Sequence, residues 1–463
     1  MNIYFTIISK KMKKFTTVLT YMLFSFFLSP AVLLAQTPEI SIPQYGKQFT
    51  AVPEREDAAI YQVNMRTFSK AGNFKSIIAR LDSIKALGIN VVYLMPIYPI
   101  GEVKSVNSPY CIRDYKAVDP AYGTLEELRN LVDSAHHKNM AVILDWVANH
   151  TSFDHVWTKN KSWYLQDGAG NIISPPGTGW NDVAQLNYKN ADMRAEMINC
   201  MEYWVLTANI DGFRCDYADG PPSDFWKEAI STLRKIPNHQ LLFLAEGKHN
   251  DLYAAGFDYT FGFSFFENLE KIYKKNRSVK SIDTLNDTDY KGTSGGQQIV
   301  RYTTNHDVNG SDGTPIELFG GKKGSMAAFV IVAYMKSVPM VYNGQEVGTP
   351  YRLNFPFSGN KIDWTINPEV TAEYKKIIAF RNSSTAIRRG QLTSYSTADV
   401  CVFTKRAGKE KILVLANFRN KQFNYSIPSD LLNTAWKNAL TGDTIQLKSK
   451  LSLAPYTYLV LKE

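Results

Sequence analysis

Residues 210–219 read IDGFRCDYAD, an apolar run that carries Arg214 and Asp216 two residues apart and closes on Asp219. Alternate residues of a strand point the same way, so Arg214 and Asp216 share a face. Charges on a short buried strand are costly unless they pair or do chemistry. The pattern of an apolar run closing on a polar end recurs along the chain. AIYQVNM (59–65), INVVYLMP (89–96), MAVILDWVANH (140–150), QLLFLAEG (240–247), AGFDYTFGF (255–263), QQIVRYTTNHD (297–307) and SVPMVYNGQEVG (337–348) all show it. Between them lie stretches with helical apolar spacing. FKSIIARLDSIKALG (74–88) has a glycine stop, TLEELRNLVDSAHHKN (124–139) has Thr124 as a candidate N-cap, and ADMRAEMINCMEYWVLTA (191–208) is a third. Eight strand-then-helix units predict an α/β fold, a parallel (β/α)8 TIM barrel rather than an open sheet. In such a barrel the C-terminal strand ends form the catalytic face, and here they gather Asp145, Asp216, Glu246 and Asp307.

The rest of the chain is organised around that barrel. Residues 151–188 are rich in Gly, Pro, Trp, Asn and Asp, too long for an ordinary loop, and predict an excursion after the third strand. The barrel region spans 58–384, preceded by a polar lead-in, 36–57, without a clear fold. From 385 to 463 the pattern turns to short alternating strands, as in DVCVFTKRAGKEKILVLANF, which predict a C-terminal all-β sandwich serving as structural support. Trp436 and Tyr456 in that region read as core residues.

The N-terminus resembles an export signal. KKMKK is a positive start, Phe15 to Leu34 is apolar, and LLAQ offers cleavage after Ala35, so residues 1–35 are expected to be removed and the product periplasmic or secreted. No stable membrane anchor is expected after cleavage. Of the net charge of +9, four come from Lys10, Lys11, Lys13 and Lys14, which leaves +5 for the remainder. No basic run interleaved with aromatics stands out, so nucleic acid is not an expected partner. The four cysteines, Cys111, Cys200, Cys215 and Cys401, fit neither a zinc site nor a dense disulfide framework. Free buried thiols are the expectation, with Cys111–Cys215 a pairing that spacing leaves open. The oligomeric state is not legible.

Asp216 and Glu246 fall on adjacent strands at the catalytic face. Retaining glycoside hydrolysis needs two carboxyl groups roughly 5–5.5 Å apart, a nucleophile and an acid. A neighbouring guanidinium favours the ionised form of a carboxylate, so Arg214 is expected to keep Asp216 charged. Glu246 follows the apolar run LLFLA, a setting that suits a general acid. A structural ion pair would explain any one strand end, but hardly four together.

The motifs taken in order resemble the alpha-amylase family of glycoside hydrolases (family 13). DWVANH is similar to its third-strand motif, with Asp145, Asn149 and His150. GFRCDYAD is similar to the fourth, with Arg214 and Asp216. AEG, TTNHD and VYNGQEVG follow, and SPYCIRDY aligns Tyr110 with the family's sugar-stacking aromatic, four residues before Asp114. The resemblance covers roughly 58–463. It implies double displacement with Asp216 as nucleophile, Glu246 as acid/base and Asp307 as stabiliser of the distorted sugar. Tyr110, Asp145, His150, Arg214 and His306 would bind substrate, with Asp145 equally readable as structural. His136, His137, His155 and His249 are left as surface or outer-subsite residues. Where the family commonly has Lys-His after the nucleophile, this chain has Asp219 and Gly220, and Ser108 replaces a common histidine. Those departures put an outer sugar contact and a calcium-binding backbone in doubt. No cofactor is required. Calcium remains a candidate at Asn149, with Asp154 or Asp182 as further oxygen ligands. The expected activity is hydrolysis of α-glucosidic bonds in starch-derived glucans or maltooligosaccharides. Transglycosylation, or action on sucrose- or trehalose-like substrates, is the alternative within the family. A glycan-binding relative without catalysis ranks lower, because Asp216, Glu246 and Asp307 are all retained.

Overall fold

The computed structural model describes residues 42–463. The expected signal segment and its cleavage point lie outside the described residues. Eight strands close into a parallel barrel in chain order: β1 (Ile60–Val63), β2 (Val91–Leu94), β3 (Ala141–Val147), β4 (Gly212–Asp216), β5 (Leu242–Ala245), β6 (Tyr259–Phe261), β7 (Gln298–Arg301) and β8 (Val338–Tyr342), with β8 pairing back onto β1. β1 to β5 and β8 are buried along their whole length. Helices cover their outer faces and side chains fill the inside, which is why these strands read as continuous apolar runs. Among the described residues no helix is long and apolar enough to cross a membrane.

Local rules account for most helix boundaries. Thr124 caps Leu125–His136 through a reciprocal capping box with Glu127. Asn190 caps Ala191–Ala208, which ends on Asn209 in the left-handed conformation. Two expectations need correction. The stretch 74–88 forms two short helices, Phe74–Ile78 and Leu81–Ala86. The sixth strand begins later than its apolar run, because 251–255 is a helical turn stopped by Gly256 at φ 112°. The lead-in is also ordered where it is described. Its Phe49 stacks on His136 at 4.3 Å, and Tyr45 donates its backbone N–H to Leu206 O.

One backbone position in β4 leaves no choice of residue. Gly212 has φ 137°, and a Cβ there would sit 1.9 Å from the Leu242 carbonyl oxygen. The strand carrying Arg214 and Asp216 can approach β5 this closely only without a side chain. Gly212→Ala is therefore expected to lower the unfolding free energy by about 3 kcal/mol, read from urea denaturation. A loss of less than about 0.5 kcal/mol, the range of ordinary surface changes, would contradict the close approach.

Beyond two helices, Pro368–Ser383 and Thr385–Arg389, the chain becomes antiparallel. Strands β9 (Gln391–Ser394), β10 (Val400–Ala407), β11 (Glu410–Asn417), β12 (Phe423–Ser426), β13 (Ala435–Asn438), β14 (Thr444–Gln446), β15 (Lys450–Leu453) and β16 (Tyr458–Lys462) follow. Six form one sheet in the order β9-β10-β11-β16-β13-β14, and β12 pairs with β15 as a ribbon. Strand alternation splits the large sheet between two cores. Val400, Val402, Leu413, Leu415 and Leu461 face Tyr425, Trp436 and Leu453 in a small core of their own. Cys401, Phe403, Ile412, Val414, Ala416 and Val460 belong to the barrel's core. Trp436 is thus a core residue, and Tyr456 stacks on Tyr273 at 5.9 Å. All four cysteines are buried and free, so Cys111 and Cys215 do not pair.

Candidate active site

Parallel register brings the charged residues of β3, β4 and β5 to one level. Asp145 pairs with Arg214 and Val147 with Asp216, and Glu246 follows Ala245, which pairs with Cys215. Arg214 is fully buried at the centre of this group. Its Nη1 lies 2.7 Å from Asp145 Oδ1 and 3.1 Å from Asp216 Oδ1. Its Nη2 lies 2.8 Å from Glu246 Oε2, a close charge contact without hydrogen-bond alignment. The backbone N–H of Tyr217 donates to the same Glu246 oxygen at 2.9 Å. Tyr93 Oη and Tyr110 Oη donate to Asp145 Oδ2 at 2.6 and 3.1 Å.

A second chain of contacts crosses from β1 to the loop after β7. Gln62 Nε2 lies 2.7 Å from His306 Nδ1, and Tyr110 Oη lies 2.7 Å from His306 Nε2. With the Gln62 amide donating to Nδ1, the ring hydrogen sits on Nε2, which faces Tyr110 and, at 3.3 Å, Asp307 Oδ1. The Tyr110 and His306 rings stack at 5.5 Å. His150 contacts Asn149 and packs edge-on to Trp180 at 5.6 Å.

Burial shapes the electrostatics. It pushes the Asp216 carboxyl well above the ordinary carboxylate range. Arg214 opposes this shift, while the charges of Glu246, Asp145 and Asp307 add to it. Burial also raises Asp145 and Asp307, again opposed by Arg214. The expectation that Arg214 simply holds Asp216 ionised is therefore corrected, because one guanidinium is shared among three carboxylates. Four carboxyl groups around one cation make full ionisation expensive, so this site favours retaining a proton. Desolvation pushes His150 down to about 4, and desolvation followed by the Arg214 charge does the same to His306. Both rings are neutral donors at pH 7. Their NMR signals are expected not to titrate between about pH 5.5 and 8, and a midpoint near the ordinary histidine value of about 6.5 would contradict this environment.

Tyr110, His150, Asp216, Glu246, His306 and Asp307 line one cleft of about 1110 Å³. Asp145 and Arg214, read from sequence as substrate-binding, have no exposed surface and lie beneath its floor. They are positioning residues, because the interior layer of β3 and β4 sits below the level where the barrel opens. Two of the calcium candidates, Asn149 and Asp154, are engaged with protein partners. Asn149 exchanges amide contacts with Gln185 and contacts His150, and Asp154 accepts from the Glu102 N–H and neighbours Arg113. Among the described residues no group of three or more His, Cys, Asp or Glu side chains could hold a metal. His136 pairs with Asp211 away from the cleft, and His155 is buried against Tyr115 and Trp157. Neither is a surface or subsite residue. Asp219 lines the cleft, with its oxygens accepting from the backbone N–H groups of Lys248 and His249.

The cleft residues that sequence reading missed include Trp180, Tyr217, Lys248 and Phe355. Trp180 stood in the excursion as one of many loop aromatics. Tyr217 was adjacent to the nucleophile candidate but offered no charge to notice.

Paired carboxyls above a buried arginine, at the C-terminal mouth of a parallel barrel, define a glycosidase-type centre. The chain matches the family model described as Alpha-amylase, "Alpha amylase, catalytic domain", over residues 45–168 and 178–432. It is 27% identical over 432 residues to Alpha-amylase 2 of Dictyoglomus thermophilum, spanning 84% of this chain and 73% of that protein. The crystal structure of an alpha-amylase from Lactobacillus plantarum superposes with a TM-score of 0.79 at 28% identity, covering 88% of this chain and 99% of that one. A noncanonic maltogenic alpha-amylase from Thermotoga neapolitana gives a TM-score of 0.79 at 26% identity, with 88% and 99% covered. The chain belongs to the alpha-amylase family of glycoside hydrolases, and it is a glycoside hydrolase.

Proposed function

We propose that the protein is an exported, retaining hydrolase of α-glucosidic bonds in starch-derived glucans or maltooligosaccharides. The observation that carries this reading is the Arg214 hub. Asp216 and Glu246 contact adjacent amino groups of one guanidinium. That attachment favours the short carboxyl separation of about 5–5.5 Å used in double displacement. Glu246, held by the Tyr217 N–H, delivers a proton to the glycosidic oxygen as Asp216 attacks the anomeric carbon. The bond to the leaving sugar breaks and a glycosyl ester forms on Asp216. Glu246 then takes a proton from water, which displaces Asp216 with a second inversion. Asp307 accepts hydrogen bonds from the sugar hydroxyls, and the neutral rings of His150 and His306 donate to the same unit. Export rests on the N-terminal sequence, and the α-glucan preference on the names of the similar proteins.

The test is product analysis by NMR after incubation with starch, maltooligosaccharides, pullulan, sucrose and trehalose. Early α-anomeric products from starch or maltooligosaccharides support the reading. Early β-anomeric products would overturn retention, and turnover confined to sucrose or trehalose would overturn the substrate class.

A further inference from the structure

Among the described residues, seven large hydrophobic side chains are exposed: Val103, Val106, Val156, Trp180, Tyr217, Phe355 and Leu432. Four of them, Val106, Trp180, Tyr217 and Phe355, line the active-site cleft. Two of the four form a unit. The Trp180 and Tyr217 rings meet edge to face at 5.0 Å, with 36% and 37% of their surfaces exposed. Such a pair is rigid and apolar with polar edges, which suits the apolar face of a sugar ring.

The backbone gives a second, independent sign. Tyr217 has φ 39°, in the left-handed region where glycine is at ease and a bulky residue is strained. A strained tyrosine directly after Asp216, exposed instead of packed in the core, points to a use for its side chain. Its location tells which sugar it meets. Under the proposed mechanism the sugar under attack lies against Asp216, in the cleft that Tyr110, His306 and Asp307 also line. The proton donor for the departing sugar is Glu246, and the Tyr217 N–H touches that carboxyl. Tyr217 and Trp180 therefore flank the leaving-group side of the bond.

We infer that Trp180 and Tyr217 form an aromatic platform for the glucosyl unit next to the cleavage point. The same platform holds an incoming sugar acceptor and so sets the partition between hydrolysis and glycosyl transfer. The inference rests on the retaining reading above. In the transfer step Glu246 removes the proton from an acceptor hydroxyl, whose oxygen bonds to the anomeric carbon as the Asp216 ester breaks. In hydrolysis water takes the acceptor's place.

The test uses α-maltosyl fluoride as donor, because its departing fluoride needs neither the platform nor the acid. Maltose is added as acceptor, and released fluoride and maltotetraose are quantified for the wild type, Trp180→Ala and Tyr217→Gly, hydrolysis being the fluoride released minus the maltosyl groups transferred. Both routes from the glycosyl ester use Glu246 as base, so their ratio cancels any change in that carboxyl and reads acceptor binding alone. The transfer-to-hydrolysis ratio is expected to fall about tenfold in each variant, the size of losing one aromatic contact. Tyr217→Gly also removes the strain, so it keeps the test informative if Trp180→Ala folds poorly. An unchanged ratio in either variant overturns the platform. So does a wild type that turns over the fluoride but transfers nothing to maltose. A wild type that turns over neither the fluoride nor any maltooligosaccharide overturns the α-glucanase reading itself, and the platform with it.

Discussion

Asp216→Asn is expected to lose roughly 10⁴–10⁶-fold in glycosidase activity while folding at least as stably as the wild type. The loss follows from the chemistry, because an amide cannot form the glycosyl ester. The stability follows from the environment. Burial and three neighbouring carboxylates raise the Asp216 carboxyl well above its ordinary value, with Arg214 in opposition. A carboxyl raised on folding stabilises the fold below its unfolded value of about 4. It loses that contribution as pH climbs through the raised value. Asparagine carries no such penalty, so the variant should melt at or above the wild-type temperature at pH 7–8. The gap should shrink as pH falls toward about 4. Thermal melts across pH, beside initial rates on a maltooligosaccharide, check both halves. A variant that retains near-wild-type activity would remove Asp216 from the role of nucleophile. One that melts lower than wild type at pH 8 would contradict the electrostatic account.

Arg214→Met carries the second large effect. Among the described residues the guanidinium is the only cation within ion-pair distance of Asp145 and Asp216, and it also contacts Glu246. Removing it leaves buried carboxylates without compensation, which costs about 3–5 kcal/mol. Their raised values then rise further, so the penalty is greatest at high pH and eases as protons bind. The variant should therefore be markedly less stable than wild type at pH 8 and closer to it at pH 5, as read by denaturant titration. Activity should fall strongly at both, because Asp216 and Glu246 lose their shared anchor. A deficit independent of pH would indicate lost packing, not lost charge compensation.

Much of this was legible in the chain, for physical reasons. Each barrel strand is buried on both faces, so its sequence is a short apolar run that no surface strand would tolerate. A polar group at the end of such a run stands out, which is how Asp216, Glu246 and Asp307 could be placed. Boundaries were legible where capping fixed them, as at Thr124 and Asn190. They slipped where a glycine in the left-handed conformation intervened, as at Gly256. The electrostatic balance was less legible. GFRCDYAD suggests an arginine serving one aspartate, whereas parallel register brings Asp145 and Glu246 onto the same guanidinium. Depth was hidden for the same reason. Period-two reasoning put Arg214 beside Asp216, but not below the cleft floor. The excursion was recognisable as an insertion, yet nothing in its spacing showed that Trp180 would turn back onto Tyr217, since that contact joins two loops through tertiary structure.

The central claim is that this site works through a glycosyl ester on Asp216. The most direct measurement is mass spectrometry of the enzyme after reaction with a ring-fluorinated α-maltosyl fluoride, whose ring fluorine slows both steps while its fluoride leaving group speeds ester formation, so that the ester accumulates. Peptide mapping should place one maltosyl adduct on the segment holding Asp216, with no adduct in Asp216→Asn. An adduct on Glu246 or Asp307, or full turnover of ordinary substrate with no adduct on any residue, would contradict it.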